Sequence, residues 1–271
     1  MRTLVIQRLD GTTYDLDALG IKVIEFSPPS PNYTNATVQV GRYGERVVGT
    51  SVGQRQIPIS MDVFASNDLT IVMKRNKFFQ IFDSIEEFYV IDMRLPMIRW
   101  KVRAEQQPFK FYENWHMGGD VSFNLICSDG YSETVDSTLN IDDLSKWAIG
   151  GMNIPLNLSV KYKFNEAEFD VFNASNIDIL AEEKPYRIIY KGAANFLTIS
   201  NETTNQTFKI NRNFSSTNSF ELYGAWPFLD GESVYADGNH ELIDLKKGWN
   251  HFKIGGCQGN FEVAIDTRFY Y

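Results

Sequence analysis

Along almost the whole of this chain apolar residues recur at every second position, and that period admits extended strands with one buried face far more readily than helices. Leu4, Ile6 and Arg8 alternate with Val5, Gln7 and Leu9; Ile57, Ile59, Met61 and Val63 are spaced in the same way, as are residues 100–104 and 121–126. Asp10-Gly11 carries the chemistry of a type I′ hairpin turn, so the chain is expected to reverse at Gly11. Beyond residue 140 the strands become short and are punctuated by Asn173, Asn195, Asn201, Asn205, Asp230-Gly231, Asp237-Gly238 and Gly255-Gly256. That rhythm predicts a β-sandwich or barrel with no helix longer than a turn or two.

One segment departs from period two. Ser66 or Asn67 can cap a helix and Asp68 complements its positive end, while Leu69, Val72, Met73 and Phe79 form an apolar stripe. A helix over 68–82 is predicted, with the basic run Lys74-Arg75-Asn76-Lys77 as its solvated face. A chain of 271 residues is long for one core and comfortable for two. The polar, acidic stretch 132–143 places the junction near residue 140, giving domains 1–139 and 140–271.

Net charge narrows the partners. At −8 the chain lacks the clustered Lys and Arg that phosphate binding requires, so sequence-specific nucleic-acid binding is not expected. Cys127 and Cys257 lie far apart in different domains, which favours two reduced thiols. The first residues hold no apolar run fit for a signal peptide, no stretch reaches the length of a membrane span, and no membrane contact is expected.

Several patterns invite a chemical reading. Gly49-Thr50-Ser51-Val52-Gly53 matches the nucleophile elbow of serine hydrolases, yet residues 54–64 read as another strand where the elbow needs a helix. His116, His240 and His251 show no metal-ligand spacing, and neither cysteine has a nearby mate. No catalytic residue, metal or cofactor is expected. The Asn-x-Ser/Thr triplets at Asn32, Asn35, Asn201, Asn205 and Asn213 reflect turn composition in a chain without a secretion signal. Trp249 is expected in the core beside Phe252 and Ile254, with His251 the polar neighbour of a buried aromatic. Trp226 and His240 are the candidates for contacting a sugar.

The order of local patterns resembles one family. Arg8-Leu9-Asp10-Gly11, Pro28-Pro29-Ser30-Pro31, Gly41-Arg42-Tyr43-Gly44, a long β arm over 47–63, the helix after Asn67, Phe88-Tyr89-Val90-Ile91 and Trp100-Lys101-Val102 follow the first domain of the distal tail proteins of long-tailed bacteriophages. Phe169-Asp170-Val171-Phe172-Asn173, residues 197–204 and Leu245-Lys246-Lys247-Gly248-Trp249-Asn250 are similar to that family's second domain. The resemblance implies a mainly β protein. Its N-terminal ring domain would be a barrel or split barrel with one helix and a long arm, followed by a galectin-like or carbohydrate-module sandwich. It also implies a homohexameric ring at the distal end of the virion tail, assembled in the bacterial cytoplasm. The tail-tube protein, a tail-tip protein and receptor-binding or baseplate proteins would be its partners.

Under that reading Arg42, Tyr43, Val48, Gly49, Gly53 and Arg55 are the expected interface residues, because an arm with Gly49 and Gly53 flanking its tip could complete a neighbour's sheet. The competing reading is a carbohydrate-binding sandwich on a β adaptor, directed at host cell-wall sugars.

Overall fold

The computed structural model describes residues 3–113, 115–143, 147, 151–155 and 160–271, without the side chains of Trp115 and His116, so the sequence reading of His116 lies outside the described residues. The chain divides into two compact units, Met1–Glu133 and Thr134–Tyr271. Both are built from strands, and one α-helix is described.

In the first unit β1 (Leu4–Arg8) turns into β2 (Thr13–Asp15), followed by β3 (Ile21–Phe26), β4 (Asn32–Gln39), β5 (Glu45–Gly53) and β6 (Arg55–Phe64). Then come α1 (Asp68–Ile81), β7 (Phe88–Asp92), β8 (Ile98–Ala104), β9 (Phe109–Tyr112) and β10 (Trp115–Cys127). The strand order is β2-β1-β7-β8-β10-β6-β3, with β9 also on β10. β6 shows why the alternation fixes the sheet's faces. Ile57, Ile59, Met61 and Val63 are all buried, and the strand runs antiparallel to β10 from Arg55↔Cys127 to Phe64↔Gly118. The first reversal falls at Gly11, whose φ of 88° suits glycine. Its form differs from the expected two-residue turn, because Asp10 does not adopt positive φ; its carboxylate instead accepts the Thr12 amide at 2.8 Å.

The helix begins where expected. Asn67 Oδ1 accepts the Thr70 amide at 2.8 Å, and Phe82 closes the last turn. Its orientation corrects the sequence reading. Ile71, Phe78 and Ile81 enter the core, where Phe78 packs 4.7 Å from Phe82 and 6.2 Å from Phe123 between ring centres. Leu69, Val72, Met73 and Phe79 point outward. The basic run is only partly solvated. Lys74 Nζ donates to the Leu19 carbonyl at 3.1 Å, and Lys77 lies over the Tyr14 ring.

Strand β11 (Glu133–Thr134) falls at the division between units. The second unit contains β12 (Lys163–Phe164), β13 (Glu168–Asn173), β14 (Tyr186–Asn201), β15 (Gln206–Lys209), β16 (Asn213–Phe214), β17 (Ser219–Tyr223), β18 (Trp226–Leu229), β19 (Glu232–Ser233) and β20 (Gly248–Thr267). Its sheet order is β12-β20-β14-β17-β18-β19, with β13 on β20 and both β15 and β16 on β14. The long strands β14 and β20 pair along most of their length, but the register slips between Gly192 and Ala193 and again between Ala194 and Thr198. Such bulges bend strands, and the two halves acquire different neighbours: β13 and β15 on one side of the irregularity, β12 and β17 on the other. Among the described residues the helical turns here, Thr138–Asn140 and Tyr235–Asp237, are three residues each.

Candidate interaction surfaces

Strands β4 and β5 form a two-stranded sheet of their own, running from Asn32↔Gly53 to Gln39↔Glu45 with a bulge between Ala36 and Thr37. Eight or nine residues at about 3.3 Å each make a ribbon of roughly 25–30 Å. Every residue on it is exposed except Gly53 at the root. The ribbon therefore has no core, and an isolated hairpin of this kind is marginal in water. Both outer edges also carry unpaired backbone groups. Tyr33, Val38, Val40, Tyr43, Val47, Val48 and Val52 add exposed apolar area, with Tyr43 90% exposed at the tip.

This placement corrects the expected arm in three ways. The arm is the β4–β5 hairpin, whereas residues 55–64 lie inside the main sheet. Its tip is the turn 40–44, where the Val40 amide donates to the Gly44 carbonyl at 3.1 Å and Gly41 and Gly44 both take positive φ. Gly49 and Gly53 belong to β5, opposite Ala36 and Asn32, so they do not flank the tip. Ser51 is likewise mid-strand, paired with Thr34 and followed by β6, without the strand–serine–helix geometry of a nucleophile elbow.

The six interface candidates are consequently spread out. Arg42 and Tyr43 sit at the tip, Val48 and Gly49 in the middle, and Gly53 at the root. Arg55 is 5% exposed and is no surface contact; its guanidinium lies 4.9 Å from the Trp100 ring centre and 5.7 Å from that of Tyr131. Burial pushes its pKa below the ordinary arginine value. A second outward surface, the α1 stripe of Leu69, Val72, Met73 and Phe79, was hidden within the sequence reading because helical spacing reveals a stripe without saying what covers it.

In the second unit the Trp249 reading is also corrected. Trp249 is 45% exposed, tilted against Phe172 at 5.0 Å, while Asn250 and Phe252 are the buried members of the segment. His251 faces outward with Trp249, its Nδ1 2.7 Å from Asp170 Oδ1 on the neighbouring strand. Hydrogen bonding to that carboxylate raises the histidine pKa, and nearby Glu202 acts in the same direction. Any stabilisation from the pair is complete below the ordinary histidine pKa and disappears as pH rises through the raised value. In Asp170→Asn the His251 titration midpoint, followed by NMR, is expected to fall; an unmoved midpoint would remove Asp170 as the cause.

Trp226 and His240, far apart in sequence, are brought together through Tyr235. The rings of Trp226 and Tyr235 are 5.0 Å apart, and those of Tyr235 and His240 stack at 4.2 Å. Sequence reasoning missed Tyr235, which opens the three-residue helical turn Tyr235–Asp237, too short to leave a periodic signal. No group of His, Cys, Asp and Glu suited to a metal occurs among the described residues, and no helix among them is long and apolar enough to cross a membrane.

A β unit with one described helix and a two-stranded ribbon, joined to a second unit built on two long strands with bulges, defines a modular β protein. Residues 9–125, all within the first unit, match the model of the phage tail protein RIFT-related domain. Over nearly its whole length the chain has the fold of the Dit protein of phage SPP1, described as a paradigm of the hub adsorption apparatus in phages that infect Gram-positive bacteria. The TM-score is 0.71 at 12% identity, covering 98% of this chain and 99% of that one. A phage P2 baseplate chain, in the activated conformation with Ca, aligns with a TM-score of 0.49 at 11% identity over 98% of both chains. No curated protein matches the sequence.

Proposed function

We propose that this chain is an architectural component of a phage tail, forming the homohexameric ring at its distal end that joins the tail tube to the tip and the receptor-binding apparatus. The carrying observation is the β4–β5 ribbon. Twenty-odd ångströms of exposed, edge-bearing hairpin with apolar side chains on it make physical sense when a neighbouring copy supplies the missing contacts. A head-to-tail contact of that kind closes into a ring when its rotation closes. The RIFT-related tail domain of the first unit and the fold shared with SPP1 Dit support the location. The outward stripe of α1 provides further apolar surface for the same assembly.

In this reading the first unit is a barrel-like ring domain, the second a galectin-like sandwich that offers attachment surface to peripheral baseplate proteins, and no reaction is performed. The net charge of −8 suits a conduit that DNA crosses without sticking. Gold-labelled antibodies against the second unit, applied to intact virions, are expected to mark only the tail end remote from the capsid. Labelling of the capsid, or along the whole tube, would contradict the assignment.

A further inference from the structure

The strand register of the second unit aligns four side chains on one sheet face. Asp266 pairs with Arg187, Arg187 with Tyr223 and Tyr223 with Trp226, so all four lie in one row across β20, β14, β17 and β18. Three interstrand spacings make that row about 14 Å long. The adjacent row on the same face contributes Glu221 and Phe228. From Trp226 the aromatic surface continues through Tyr235 to His240. Trp226 is 55% exposed, and Tyr223, Tyr235 and His240 are exposed beside it.

The row is concave as well as aromatic. A cleft of about 530 Å³ is lined by Arg187, Glu221, Tyr223, Phe228 and Asp266, and a second of about 380 Å³ by Lys184, Tyr223 and Trp226; the two share Pro185 and Tyr223. The turn that sets Tyr223 and Trp226 side by side is fixed. Gly224 has φ of 56°, and a Cβ there would sit 2.6 Å from the Ala181 carbonyl oxygen.

We propose that this row is a binding site for a neutral oligosaccharide, whose pyranose faces stack on Trp226 and Tyr223 while its hydroxyls reach Arg187, Glu221 and Asp266. Sugars present apolar C–H faces and a hydroxyl rim, and exposed rings beside polar groups match both. The charges favour a neutral ligand. Arg187 Nε already donates to Asp266 Oδ2 at 3.1 Å and its Nη1 lies 3.7 Å from Glu221 Oε2, so the two carboxylates of the first cleft balance Arg187 and Arg268 and leave no net positive charge for an anion. Glu182 and Glu183 on the second cleft further disfavour acidic polymers. The length of the row selects an oligosaccharide over a single sugar. Trp249 lies on β20 in the half paired with β13 and takes no part.

The site is independent of ring formation, and its test separates the two. The full-length protein is run in native gels containing a neutral glucan, a galactan or soluble chitin oligosaccharides, and in gels containing alginate as the acidic control. Retardation by at least one neutral glycan is expected, reduced at least tenfold in apparent affinity in Trp226→Ala and Arg187→Ala with assembly unchanged; Trp226→Ala also keeps the wild-type thermal stability, whereas Arg187→Ala leaves the buried Asp266 carboxylate unpaired and lowers it. Tyr223→Phe, which keeps the ring, is expected to retain most of the binding. Absence of retardation by every neutral glycan, retardation by alginate alone, or binding that persists in both variants would overturn the proposal.

Discussion

Replacing Asn250 by alanine is expected to destabilise the second unit by about 2–4 kcal/mol, more than removal of the far larger Trp249 beside it. Asn250 is 0% exposed, and its side chain is fully used. Oδ1 accepts the Lys246 amide at 2.9 Å and Asn201 Nδ2 at 3.1 Å; Nδ2 donates to the carbonyls of Lys246 at 2.7 Å and Gly248 at 3.1 Å. Asn201, also fully buried, extends the network to the Asp244 carbonyl and the Thr203 amide. Alanine would leave several of these partners without a bond inside the protein, each costing about 1–3 kcal/mol where water cannot reach. Trp249→Ala removes a half-exposed ring and one tilted contact with Phe172, a loss of roughly 1–2 kcal/mol. Urea unfolding of the intact chain measures both. An equal or larger loss for Trp249→Ala would place the tryptophan in the core after all.

Removing the ribbon is expected to have the opposite profile, with assembly abolished and the fold retained. Residues 34–51 would be replaced by Asn-Gly, a pair that closes a two-residue hairpin. Tyr33 and Val52 stay as the closing pair, because Tyr33 is hydrogen-bonded to Tyr131 and Val52 touches Gly130 at the root. The deleted residues bury nothing in their own unit, so the unfolding midpoint should correspond to a change within about 0.5 kcal/mol. In a ring the same residues would supply a large share of an interface that needs well over ~1,000 Å² to be specific. Rings that survive the deletion would move the connection elsewhere, with the α1 stripe next to be tested. Loss of folding would show that the ribbon belongs to its own core.

Much of this architecture is legible in the residues. Alternation in residues 57–63 marks β6 and its buried face, Asp10-Gly11 marks the first reversal, and Ser66-Asn67 marks the start of the helix, with Asn67 the residue that caps it. Other features resisted for identifiable reasons. Helix α1 carries two apolar stripes, and local spacing cannot say whether Leu69, Val72, Met73 and Phe79 or Ile71, Phe78 and Ile81 meet the sheet. For Trp249 parity held the answer. In a strand it shares a face with His251 and Lys253, whereas Phe252 and Ile254 share the opposite face with Asn250. The row Asp266-Arg187-Tyr223-Trp226 depends on register between strands up to some eighty positions apart, a long-range pairing that no local pattern encodes. Gly41-Arg42-Tyr43-Gly44 reads as a turn, yet which strands it joins becomes clear only from the pairing of β4 with β5.

The solution mass of the full-length protein, measured by light scattering across a concentration series alone and with the proposed tail-tube partner, tests the central claim most directly. The ring account predicts a closed hexamer of the 31.1 kDa chain, reduced to monomer in the ribbon deletion. A wild-type protein that remains monomeric at every concentration and with the tube protein present would contradict it.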